Sequence, residues 1–414
     1  MDPDNDLPRT EAVPHGIPRT VQLPKDLSRL NDPFPLLTEL RHIAPVVRAR
    51  LHDRWNVWLV TSYQAARHVL LDTETFRSDH SWIAAADAKY VSPMRMGLLD
   101  WDPPLHTEAR RLVRPAFAPP AVRDFADQVR RRCPPLLQAL PPVGTADLVA
   151  EVIEPLVNSA VGTFLGVPWD EALGRGAAAL IAPVDDDTAR KHAARARDAL
   201  AAHVDACLSE SSRQRTSLLA RILTEGGPGS PESWLPRGQV VLQMFVAGRQ
   251  STVDFLATLI RGLTGTGTLA RLRDPGAPLT STVEEYLRHD GPIVRGVWRF
   301  AARDGHIAGT PVARGDTVLV SLAAANRDPA VFDCADQVAP LGRPHPHLGF
   351  GAGPHHCPGA PLVRVMAGTL VTELARRFPR MSLAPQQRDG CTTDSVFRGP
   401  RAVYVRPGGE DADA

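Results

Sequence analysis

The chain has 414 residues, 43% hydrophobic and 22% charged, a balance that supports a large buried core. Its 47 basic and 46 acidic side chains leave a net charge of +1, which excludes the strong field of a nucleic-acid or anionic-membrane binder. The five cysteines (Cys133, Cys207, Cys334, Cys357, Cys391) are scattered and odd in number, so the pattern predicts neither a disulfide framework nor a CxxC metal pair, and points to a reducing cytoplasm.

Residues 1–35 are rich in Pro, Asp and Arg and lack an apolar run long enough for a signal peptide or a membrane span. They read as a polar, Pro-rich N-terminal extension, and residues 36–414 as one large domain. Apolar spacing predicts helices over 64–71, 120–140, 148–165, 188–208, 214–224, 237–263 and 280–289. The 237–263 segment is apolar nearly all round, so it is expected to cross the interior, interrupted by Gly248, Arg249, Gln250, Ser251 and Thr252. Strand signals sit at 55–61, 297–302, 317–321 and 402–405. The Gly/Pro-rich stretch 225–236 reads as a loop, and no internal repeat is present. A helical majority with small sheets built from distant segments predicts a mainly α domain.

The strongest signal is Phe350-Gly351-Ala352-Gly353-Pro354-His355-His356-Cys357-Pro358-Gly359. Glycines before the cysteine allow a tight turn where side chains would meet a flat cofactor, and Gly359 gives room where a helix over 362–378 begins. A helix N-terminus favours a thiolate, and a thiolate is the axial ligand that pushes electron density onto haem iron. Two other readings compete: a buried structural cysteine, or a zinc site formed with His345, His347, His355 and His356. Phe350 and the glycines have no role in a zinc site, and the whole pattern favours haem.

This loop resembles the cytochrome P-450 superfamily pattern F-G-x-G-x-H-x-C-x-G at every specified position. The resemblance implies a triangular, mainly α prism with small β-sheets. Haem lies between the long central helix and the helix after the cysteine loop. It makes Cys357 the iron ligand, with Phe350 and Gly351 shielding the thiolate face and His355 bonding a propionate. Asp102-Pro103-Pro104-Leu105-His106-Thr107-Glu108-Ala109-Arg110 resembles the family's D-P-P-x-H-x-x-x-R, which assigns His106 and Arg110, with Arg299, to the propionates. Glu285-Tyr286-Leu287-Arg288 resembles the structural E-x-x-R pair. The family often has an arginine where Gln337 stands, so that pair is expected to lack a charged partner.

The central helix departs from the family. Ala247-Gly248-Arg249-Gln250-Ser251-Thr252 replaces the usual acid with Gln250 and the usual threonine with Ser251. That acid–alcohol pair supplies the protons that let the O–O bond break heterolytically. Ser251 can still donate, or bond an i−4 carbonyl and open the helix locally; an amide cannot relay protons as a carboxylate does. Three readings stand: a hydroxylase with a substitute proton path, radical coupling, ring closure or desaturation, and peroxide-driven chemistry. A haem-binding recruitment protein is the non-enzyme alternative. Met94, Met244, Phe245, Val294, Arg295 and Phe397 are the pocket candidates. The resemblance further implies haem b, a small substrate, free or carrier-bound, and electrons from NAD(P)H through a ferredoxin reductase and ferredoxin. Arg110, Arg111, Arg114, Arg364, Arg376 and Arg377 are candidates for the docking face of a monomeric cytoplasmic enzyme in specialised metabolism.

Overall fold

The structure, a computed structural model, describes residues 20–23, 32–51, 55–82, 97–181, 187–210, 237–274, 276–339, 346–387 and 397–409. Its longest helix, Arg237–Gly265, runs 29 residues and buries Val240, Val241, Phe245, Val253, Leu256 and Ile260 in the main core. A helix apolar on every side has no face to give to water. It packs against Glu154–Leu165, Asp187–Glu210, Leu279–His289 and Ala360–Arg377.

The expected helices stand at Tyr63–Leu71, Pro119–Gln138, Asp187–Glu210 and Leu279–His289. The 148–165 segment opens as a π-helical turn, Val149–Ile153, before continuing as Glu154–Leu165. The expected helix over 214–224 lies outside the described residues. Sequence spacing misses Phe34–Ile43, whose Pro33 and Pro35 resemble a loop but mark a helix start. The expected domain boundary at residue 35 falls inside that helix. It also misses Glu171–Ile181 and the strand Val46–Leu51, although Arg48 and Arg50 alternate there with buried Val47, Ala49 and Leu51 as a half-buried strand requires. Arg48 lies over the Trp58 ring, 5.4 Å from its centroid.

The strands are β1 (Thr20–Gln22), β2 (Val46–Leu51), β3 (Trp55–Val60), β4 (Phe76–Arg77), β5 (Ala146–Asp147), β6 (Val297–Ala301), β7 (Gly305–Ile307), β8 (Thr310–Val312), β9 (Thr317–Val320), β10 (Ser382–Leu383) and β11 (Tyr404–Arg406). The main sheet has the order β1-β2-β3-β9-β6-β4. β9 pairs parallel to β3 and antiparallel to β6 and is buried along its length, so it fixes β6 and with it Arg299. β1 belongs to the stretch read as an extension, yet it pairs with β2 from Thr20 to Gln22.

Glu285 and Arg288 form a bidentate pair, Nε–Oε2 2.8 Å and Nη2–Oε1 2.7 Å. Where the family often has an arginine, Gln337 offers its backbone, and three carbonyls receive the remaining Arg288 hydrogens. Arg288 donates to Asn326 O and Ala335 O at 2.8 Å and to Gln337 O at 2.9 Å, while Ala339 N–H donates to Glu285 at 2.9 Å. The chain thus uses the backbone at Gln337 in place of a side-chain charge.

Candidate active site

Residues 350–359 close on themselves. Cys357 N–H donates to Phe350 O at 2.9 Å and His356 N–H to Gly353 O at 3.0 Å. Gly353 holds φ at 70°, and a Cβ there would lie 2.7 Å from Leu70 O, so only glycine fits. Gly359 is different: its φ of −77° suits any residue, but an added Cβ would sit 3.7 Å from Cys357 Sγ. Its absence keeps the space beside the sulfur clear. Phe350 lies under the Arg364 guanidinium, 4.8 Å from ring centroid to Cζ.

Helix Ala360–Arg377 starts directly after Gly359. Burial pushes the Cys357 thiol up, against the pull of the Gly359 and Ala360 N–H groups and of Arg110 and Arg364. Desolvation therefore outweighs the helix terminus in the polypeptide alone, while the Gly359 and Ala360 N–H groups act in the expected direction. A coordinating cation reverses that order, because a metal-bound thiol is deprotonated outright. The zinc reading finds no ligand set. His347 is spent on Glu284 and Gly349 N–H, each at 3.0 Å, and among the described residues no three His, Cys, Asp or Glu side chains converge on a metal position. His345 lies outside the described residues.

Beside the cysteine loop, three elements bring four nitrogen-bearing side chains together. His106 and Arg110 share one face of helix Leu105–Val113, Arg299 comes from β6, and His355 from the loop. The His106 and His355 rings lie 4.1 Å apart. His355 Nδ1–H donates to Leu98 O at 3.2 Å, which leaves Nε2 to accept from Ser78 Oγ at 3.1 Å. Arg110 donates to His356 O at 3.1 Å and Arg299 to Trp298 O at 2.7 Å. His106 Nε2 is buried and has no partner among the described residues. Burial, followed by Arg110, holds His106 down to about 4; burial, followed by Arg299 and His106, holds His355 down to about 2. Asp102 is the nearby counter-charge, but its oxygens accept the Ser78 and Asp79 N–H groups at 3.0–3.1 Å. Two guanidiniums, Arg110 and Arg299, beside two neutral imidazoles and an unpartnered His106 Nε2 call for buried anions. The two propionates of a haem fit it, with Arg and His as charge-assisted donors.

On the central helix, an added Cβ at Gly248 meets nothing within 4 Å, so the Ala247–Gly248 turn borders open space. Ser251 Oγ–H donates to Ala247 O, and Thr252 Oγ1–H to Gly248 O at 2.6 Å. The helix nevertheless runs through without a break. Gln250 Oε1 accepts from Arg249 at 2.6 Å, and its Nε2–H donates to Asp254 Oδ1 at 2.9 Å. Arg249 continues to Asn158 Oδ1 at 2.8 Å and Glu154 Oε1 at 2.9 Å, over the Trp169 ring. Asp254 is fully buried. The carboxylate missing at position 250 thus sits one turn further along. Its signal in the sequence is a lone acid within an otherwise apolar run, VDFLATLI.

Residues 278–401 match the cytochrome P-450 family model. The chain is 32% identical over 391 residues to the cytochrome P-450 monooxygenase PikC of Streptomyces venezuelae, covering 91% of each. The chain belongs to the cytochrome P-450 family. It is also 30% identical over 405 residues to the nocardicin C N-oxygenase of Nocardia uniformis subsp. tsuyamanensis, covering 96% of this chain and 98% of that one. Among solved structures it superposes on the P-450 enzyme CxnD, described as forming a C–S bond in chuangxinmycin biosynthesis, with a TM-score of 0.83 and 25% identity over 91% of this chain and 95% of that one. This P-450 is therefore a haem-thiolate monooxygenase of specialised metabolism, supplied with electrons by a redox partner and acting on a small molecule.

The described pocket candidates of this P-450 lie in different surroundings. Phe245 is buried against Trp169, ring centroids 5.6 Å apart, and Met244 packs beside it on the main core. Val294 is buried among Phe34, Leu37, Ala323 and Ala324, a cluster separate from the central helix. Arg295 lies over the Trp298 ring. Phe397 is buried in the main core, and its backbone bridges Ile293. Met94 lies outside the described residues. No helix of the described residues is long and apolar enough to cross a membrane.

The six arginines expected at a docking face are largely compensated. Arg111 pairs with Glu108 at 3.2 Å, Arg376 and Arg377 with Glu373 at 2.9 and 3.2 Å, and Arg364 with Glu284 at 2.7 Å. Glu284, bonded by both Arg364 and His347, is pulled down to about 2 against the desolvation that opposes it. Sequence reading passed over Glu284 because an acid beside Glu285 on a helix reads as surface.

Proposed function

We propose that Cys357 is the axial ligand of haem b, with His106, Arg110, Arg299 and His355 around its propionates and Phe350 and Gly351 over the thiolate face. The observation that carries this is the orphaned His106 Nε2 within a cationic cluster that adjoins Cys357. When bound, the haem supplies reductive activation of dioxygen. The protein's own part is to hold the sulfur dry, to neutralise the propionates, and to present Ser251 Oγ–H on the helix face above. Ser251 is the group that hands a proton on; its hydroxyl needs only to turn from Ala247 O. Gln250, fixed between Arg249 and Asp254, positions that turn of helix and carries no proton. The electron route is NAD(P)H, a ferredoxin reductase and a ferredoxin, and exposed Arg114 is the least compensated of the six arginines for docking it. We place the enzyme in the cytoplasm as a monomer with a single domain, to which strand Thr20–Gln22 and helix Phe34–Ile43 also belong.

The reading supported best is hydroxylation of a small molecule, free or carrier-bound. A second reading, radical ring closure, coupling or desaturation, is favoured by one observation: the side chain at 250 is an amide with both ends engaged. Turnover under isotopically labelled dioxygen separates the two. Label in the product supports hydroxylation; a product that has lost hydrogen and gained no label supports the second. Absence of any oxygen-dependent product favours a recruitment role.

A further inference from the structure

Gln243 interrupts the apolar run VVLQMFV of the central helix. It stands one turn before Ala247 and two turns before Ser251, so the three side chains share one helix face. Gln243 is only 6% exposed. Its Oε1 accepts Leu99 N–H at 3.3 Å. Gly97, at φ 99°, lets that loop pass close: a Cβ there would lie 3.0 Å from the same oxygen. The Leu99 bond settles which end of the amide is oxygen. The other end, Nε2, is buried and has no partner among the described residues. A buried amide donor left unsatisfied opposes folding, and a ligand that brings an acceptor removes the conflict.

We infer that Gln243 Nε2–H is a substrate-binding donor, and that the molecule oxidised carries a carbonyl oxygen (ketone, ester or amide) which this donor holds two helical turns, about 12 Å, along the helix from Ser251. The inference rests on the P-450 reading of the site. A carbonyl is chosen over a carboxylate because Val240 and Val246, three residues either side of Gln243 on the helix, are buried and apolar, and a buried carboxylate there would need a cation. It is chosen over a hydroxyl because an alcohol would bring its own unsatisfied hydrogen. One such bond fixes the substrate along the helix, and thereby which carbon faces the oxidant, much as a single buried polar contact sets specificity in other apolar sites.

The test uses the haem-loaded protein and a series of cyclic ketones of rising ring size, each matched with its cycloalkane, titrated by Soret shift. Wild type is expected to bind the best ketone about tenfold tighter than its hydrocarbon partner. Gln243→Leu and the near-isosteric Gln243→Met should lose that preference, with hydrocarbon affinity within about twofold of wild type. A purely structural role, pinning Leu99, would move ketone and hydrocarbon alike. An unchanged ketone preference in both variants, no preference in wild type, or no Soret response to any ketone overturns the inference. A protein without a thiolate-type Soret band fails the P-450 reading itself, whereas a normal band with an unchanged ratio fails this inference alone.

Discussion

Gln250 donates its amide N–H to the buried Asp254 carboxylate across 2.9 Å, one helical turn away. A glutamate at position 250 could accept from Arg249 but could not donate to Asp254. It would set two carboxylates together, and one of them would take up a proton.

The pair is therefore coupled. Gln250→Glu alone should destabilise the protein by about 1–3 kcal/mol, the cost of a buried polar group losing its partner. Asp254→Asn added to it should recover most of that, because the new amide can donate back. Urea midpoints of the four proteins close a double-mutant cycle. Strict additivity would show that the two side chains act independently.

Ser251→Ala removes the hydroxyl that the account assigns to proton transfer. Peroxide formed per electron pair should rise and product should fall; a barrier change of only ~1.4 kcal/mol shifts that ratio about tenfold. Gln250→Asn should change the partition much less. If Ser251→Ala partitions electrons as wild type does, protons enter elsewhere.

Glu285→Gln breaks the bidentate pair and leaves Arg288, whose side chain is 3% exposed, as a buried cation facing carbonyls. Removing one partner of a buried ion pair costs about 3–5 kcal/mol. A fall in thermal midpoint and poor recovery of haem-loaded protein are expected. A Tm within a degree or so of wild type would mean that the carbonyl cage alone holds Arg288.

His106 gives the haem-free protein a pH dependence with a definite sign. Its folded pKa is lowered from 6.5 to about 4, so over that interval the unfolded chain binds more protons. This contribution is complete above about 6.5 and is lost as pH falls towards about 4. His106→Gln should flatten the fall in apoprotein Tm across that window. Haem loading should flatten it too, since propionates beside Nε2 favour the charged ring. Equal slopes in all three would remove His106 from the propionate site.

The site's anchor residues were legible because they lie in short contiguous motifs: Phe350 to Gly359, Asp102 to Arg110, Glu285 to Arg288. The central helix was legible from its apolar periodicity. What the sequence hid depends on distant partners. Gln337 lacks the family's charge, yet its carbonyl serves Arg288, a backbone contact that no side-chain pattern records. Asp254 and Gln243 look like blemishes in an apolar helix until the structure shows one bonded to Gln250 and the other half-satisfied by Leu99. Val294 was read as pocket wall from its place in the chain, but it is buried among the Phe34 cluster. The N–H groups that favour the Cys357 thiolate were legible from the helix start, whereas the burial that opposes them depends on distant packing.

The central claim, that Cys357 ligates haem, is tested most directly by the Soret band of the reduced, carbon-monoxide-bound protein. Wild type should absorb near ~450 nm, the mark of thiolate ligation, and Cys357→His should lose that band while Cys133→Ser and Cys334→Ser keep it. A band near ~420 nm in gently handled wild type, or a ~450 nm band that survives Cys357→His, would contradict the account.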